Sequence, residues 1–169
     1  IPMDVGLTLW LTTAVFLHAF GTVPLPVEFV ELVGSAPDGK AYTTLYSSGG
    51  WWDHLTHSLS ASIVAGVGYA TARALDEHSD AVDLPPEFIF VYLLLFVVAF
   101  GVLWEVIEFT IGEAAALLGM GSVLTQYGLA DTMLDLLFDI LGGVVVAIWG
   151  TTYLTDVAAA ISRRLSTSS

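Results

Sequence analysis

Three of the four long apolar segments in this chain carry carboxylates at helical spacing, and that pairing restricts the fold more than any other feature. A helix that crosses a bilayer needs about 20 mostly apolar residues. Residues 5–21, 53–75, 87–111 and 131–156 reach or approach that length. They predict an all-α fold, a polytopic transmembrane helical bundle of four spans forming one domain over residues 1–169. Composition agrees, because 56% of the residues are hydrophobic and the mean hydropathy is +0.79. A domain this small has too little interior to hide so much apolar surface from water. The expected place is the cell membrane, as a multi-pass protein with the lipid bilayer as its first partner.

The segments between the spans are polar or rich in turn formers. Residues 23–50 include "VPLPVEFVELVGSAPDGK", which has room for a short interfacial helix; 76–86 form an acidic turn and 112–130 a Gly-rich connection. Arg73 ends the second span, and Arg163 and Arg164 follow the fourth. By the positive-inside rule these ends are cytoplasmic, which sets 23–50 and 112–130 outside, with Lys40 as the exception. The chain starts at Ile1 without a basic n-region, so residues 1–22 do not read as a signal peptide. With no initiator Met, one more span upstream is allowed for.

On this topology the ionisable residues converge on the outer half. His18 lies near the end of the first span; Asp53, His54 and His57 open the second in "WWDHLTHSLSAS". Glu105 and Glu108 sit in the outer third of the third span, and Asp131, Asp135 and Asp139 descend the fourth. Asp53 and His57 are one turn apart, as are the three aspartates in succession, so each helix presents its set as one stripe. A second stripe, Ser58, Ser62, Gly66 and Ala70, lets neighbouring backbones approach closely.

A carboxylate at mid-bilayer costs about 2.5–3.5 kcal/mol on insertion scales. Six of them approach ~20 kcal/mol, more than the roughly 5–15 kcal/mol by which a typical domain is stable. No Lys or Arg lies in the outer halves of the spans to offset this. The remaining means are protonation, water, histidinium or a bound cation. Some members also suit plainer roles. Asp53 and Asp131 are good helix N-caps, His18 is an interfacial histidine as readily as a ligand, and His54 points away from the Asp53–His57 stripe as a rim residue. Trp51 and Trp52 suit an aromatic belt, and Glu113, past the third span, is expected in solvent.

Taken in order, "FLHAFG", "WWDHLTHSLSAS", "LWEVIEF" and "TQYGLADTMLDLLFDILGG" resemble the YjdF-type family of small multi-span membrane proteins, a domain of unknown function. The resemblance runs from His18 to Gly143. It implies that His18, Asp53, His57, Glu105, Glu108, Asp131, Asp135 and Asp139 match the family's polar positions, and it implies no reaction.

The residues themselves suggest a divalent-metal site, zinc, manganese or iron, serving an intramembrane hydrolase-type activity on lipid or envelope material. His57, Glu105, Glu108, Asp135 and His18 are the candidate ligands; Asp53 and Asp139 are the candidate catalytic carboxylates, with Asp53 also placed to orient His57. The alternatives are a cation or proton transporter or channel subunit, which would need a homo-oligomer or further segment to complete a pore, and a non-enzymatic membrane partner protein. Absence of cysteine excludes disulfides, thiolate catalysis and iron–sulfur clusters. A net charge of −13 with four basic residues argues against nucleic acid. Such an acid-rich, lysine-poor chain suits a halophilic setting, where dense carboxylates keep the surface hydrated.

Overall fold

The computed structural model describes residues 5–35, 39–48, 50–78, 83–121 and 126–150. Four long helices stand where the apolar segments lie: α1 (Val5–Gly21), α3 (Trp51–His78), α4 (Pro86–Leu117) and α5 (Leu129–Val145), the last prolonged by one π turn, Val146–Gly150. The remainder of the fourth expected span and the Arg163–Arg164 pair fall outside the described residues.

The ends of these helices follow from local chemistry. Pro86 opens α4 at a position where its missing N–H is not needed. Gly119, at φ 65°, closes it: Met120 N–H bonds Ala115 O at 2.9 Å and Gly119 N–H bonds Ala116 O at 3.1 Å, a Schellman ending. α3 begins two residues before the expected Asp53. Gly50 takes φ 82°, which favours glycine, and its carbonyl accepts the His54 N–H at 3.0 Å. Asp53 is therefore inside the first turn and is not the cap. Asp131 likewise sits in the first turn of α5, behind Gly128, and its Oδ2 accepts the Tyr127 N–H at 3.3 Å.

The loop between α1 and α3 does hold a short helix, α2 (Val27–Val30), beside a two-residue antiparallel pairing of β1 (Leu25–Pro26) with β2 (Tyr42–Thr43), a small departure from an all-α fold. Val30, Leu45 and Trp52 form a compact apolar cluster beneath it. Trp52 is thus buried, against Phe20 and Gly21, and does not belong to a surface belt.

Among the described residues only α4 is both long and apolar enough to span a bilayer, at a hydropathy of 2.5 over its best window. Only 28% of that window is buried, whereas the core helix of a soluble protein is mostly covered. α1 is apolar but 17 residues long, and α3 has the length but is diluted by polar and small residues. The fold is thus mostly helical, with four long helices in the expected order, of which, among the described residues, one has span-like length and composition.

α3 is the hub, packing on α5, α4 and α1. Small residues let helix backbones approach closely. Gly142 lies so near the Ser58 carbonyl that a Cβ would collide with it, and Gly143 is set against Val97. In α4 the buried residues recur every four positions, Ile89, Leu93, Val97, Gly101 and Glu105, a single stripe. Its first three members join Ala61, Ala65, Tyr69 and Ala72 in the main apolar core. The stripe ends on a carboxylate.

Candidate metal centre

At the end of the bundle where α3 and α5 begin, both helices run in the same direction, and two histidines of α3 reach two aspartates of α5. His54 Nδ1 lies 2.8 Å from Asp135 Oδ1, and its ring stacks on Phe138 at 4.9 Å. His57 Nδ1 lies 3.3 Å from Asp139 Oδ1. An ionised carboxylate only accepts, so each Nδ1 carries the proton that its aspartate takes, and Nε2 has the lone pair when the ring is neutral. Room for the second pair comes from Gly101, where any Cβ would collide with Asp139 Oδ2.

The free edge of His57 looks toward α4 and its own first turn. Nε2 is 3.8 Å from Asp53 Oδ1 and 3.9 Å from Glu105 Oε1, both beyond a hydrogen bond. Glu105 is 5% exposed, and its two oxygens differ. Oε2 accepts the Thr132 hydroxyl at 2.8 Å, which in turn accepts Gln126 Nε2 at 2.9 Å. Oε1 is buried with no hydrogen-bond partner among the described residues. Glu108 is fixed by the Trp104 indole N–H at 3.1 Å.

Three sets of side chains bring one ligand atom each to within 4.8 Å of one another: Asp53, His57 and Asp135; His54, Asp131 and Asp135; and His57, Glu105 and Glu108. The sets share members, so they form one continuous cluster. Arg73 is engaged elsewhere, pairing with Asp76 at 2.7 Å and Glu77 at 3.2 Å.

His57, Glu105, Glu108, Asp135, Asp53 and Asp139 therefore meet across three helices. His18 stands apart: its Nδ1 lies 2.8 Å from the Tyr46 hydroxyl and its Nε2 2.7 Å from Ser60 Oγ. With both nitrogens bonded to hydroxyls, His18 ties α1 and the loop to α3. His54 is the residue that sequence reasoning misplaced. It is no rim residue, since its side chain is 14% exposed and pairs with Asp135. The available signal was the His54–His57 step of three matched to the Asp135–Asp139 step of four, legible only if α3 and α5 are taken as parallel neighbours.

A family model described as "Predicted membrane protein (DUF2238)" matches residues 1–156. An uncharacterized protein of Thermotoga maritima is 35% identical over 97 residues, which are 57% of this chain and 46% of that protein. The chain thus spans about half the length of that relative. No solved structure matches.

Proposed function

The chain belongs to the DUF2238 family of predicted membrane proteins, the YjdF-type family its motifs resemble, and from that premise we propose that its helices form a four-span bundle holding a divalent cation among α3, α4 and α5. The observation that carries the proposal is Glu105 Oε1, a buried oxygen without a partner among the described residues, facing His57 Nε2 at 3.9 Å. An unsatisfied buried acceptor is costly. A cation between Glu105, His57 and Glu108 satisfies that oxygen and relieves the repulsion among neighbouring carboxylates in one step.

One imidazole with several carboxylates suits manganese, iron or zinc. Asp139, on Nδ1, holds the His57 ring and raises the basicity of Nε2, the part usually played by a carboxylate behind a ligating histidine. That role fits Asp139 better than Asp53, which lies on the Nε2 side with the ligands. Asp135, shared between two of the sets, links the His54 pair to the same charge cluster.

The activity proposed is hydrolytic. A bound cation there supplies Lewis acidity toward a carbonyl or phosphoryl oxygen. Asp53, 13% exposed at its side chain, is placed to take a proton from water as general base. A transport pathway has less support: past Asp139 the space between helices is filled by Val97, Ala61 and Ala65. Elemental analysis of the purified protein is the test. A stoichiometric transition metal that falls in Glu108→Gln, with a melting temperature lowered by chelator in the wild type only, is expected. A metal-free protein indifferent to chelator would reject the centre.

A further inference from the structure

We infer that the groove between α4 and α5 is a lateral binding site for one membrane lipid, whose hydrocarbon chain lies along the helices and whose oxygen linkage reaches the edge of the acid–histidine cluster. The groove is shallow and open, with a volume of about 280 Å³. Val102, Val106 and Phe109 of α4 form one wall, with Met133 and Leu136 of α5 opposite. Val102, Val106, Phe109 and Met133 are all exposed, so the groove is continuous with the apolar outer face of α4, the surface a bilayer covers. An apolar cleft open to that surface is filled by hydrocarbon and not by water.

The floor separates this groove from an ordinary lipid-facing furrow. It is made by Glu105 with the Gln126 and Thr132 groups that hold it. Gln126 Nε2 directs one N–H to Thr132 at 2.9 Å, and only a long contact of 3.5 Å leads from it to Glu105 Oε2. Its second N–H is thus weakly used and can meet an acceptor. A neutral donor beside a carboxylate suits the carbonyl or ether oxygen of a lipid and not its phosphate, which Glu105 would repel. The opposite face of the same Glu105 looks onto His57. A chain in this groove therefore places its linkage one carboxylate away from the proposed centre, which a substrate arriving from the bilayer requires. This inference rests on reading the cluster as the reactive centre.

The experiment uses the full chain reconstituted in phosphatidylglycerol vesicles, extracted mildly, with retained lipid counted by native mass spectrometry. Wild type is expected to keep one lipid per chain. Val106→Trp and Met133→Trp, filling the groove from either wall, should lose it, and Leu95→Trp, on the same exposed face of α4 three turns away, should keep it. Retention by either groove variant at the wild-type level, or equal loss in the Leu95 control, would overturn the site. Metal content measured on the same samples separates the two proposals. A metal-free wild type that still holds its lipid removes the centre and leaves the groove, whereas a metal-loaded wild type without lipid does the reverse.

Discussion

His57 Nδ1 sits 3.3 Å from Asp139 Oδ1, across the interface of α3 and α5. The pairing turns the other imidazole nitrogen toward Glu105 and Asp53, so a residue on one helix decides what a second helix offers to a third. Asp139→Asn keeps the size but replaces an ionised acceptor with an amide. We expect the affinity for manganese or zinc to fall about 10–100-fold, measured by calorimetric titration, with little change in helix content. An unchanged affinity would deny Asp139 its positioning role.

Glu105→Gln should act in opposite directions with and without metal. In the metal-free protein it removes one of several mutually repelling carboxylates, so melting is expected at a higher temperature than wild type. A cation at 100 times its Kd stabilises the wild type by about 2.7 kcal/mol, and most of that gain should vanish in the variant. Paired melting curves with and without added metal check both halves. A variant that tracks the wild type in both states contradicts the ligand role of Glu105.

The two glycines of α4 predict opposite outcomes for one change. At Gly101 a Cβ collides with Asp139, while at Gly112 no described residue lies within 4 Å. Gly101→Ala should cost about 1–3 kcal/mol and weaken metal binding by displacing Asp139. Gly112→Ala should be neutral or stabilise by about 0.5–1 kcal/mol, since it adds only helix propensity. Chemical unfolding in detergent measures the contrast, and equal effects at both sites would mean that α4 and α5 are not so closely packed.

His54 and Asp135 should behave as a unit. Asp135 is 2% exposed, so His54→Ala leaves a buried carboxylate without its partner, at a cost of about 3–5 kcal/mol. Removing both side chains should cost less than the two single changes added together, by about 0.5–3 kcal/mol. Additive losses in a double-mutant cycle would show no coupling across α3 and α5.

Topology can be read from a single cysteine, since the chain has none of its own. Ser48 is 1% exposed and would label poorly, whereas Lys40 is exposed in the same loop. Lys40→Cys is expected to react with an impermeant maleimide on intact cells. Labelling only after lysis reverses the orientation of the bundle.

The sequence by itself determined the helices and the end at which polar groups gather. Hydropathy and helical period are local properties, so residues 5–21 appear as α1 without change and the acids of α4 and α5 fall one turn apart as their spacing requires. The small stripe of α3 also foretold a close helix contact, realised where Ser58 meets Gly142. Tertiary structure alone decided the rotation of each helix about its axis and hence the partner of each side chain. His54 turned inward because α5 passes beside α3 in the same direction, bringing Asp135 to its level. His18 was drawn out of the cluster because the loop carried Tyr46 over it, and Asp53 and Asp139 fell on opposite edges of His57. A pattern along one chain fixes which face of a helix is polar. Which neighbour that face meets depends on how closely backbones approach at Gly101 and Gly142, and this is settled only when the helices pack.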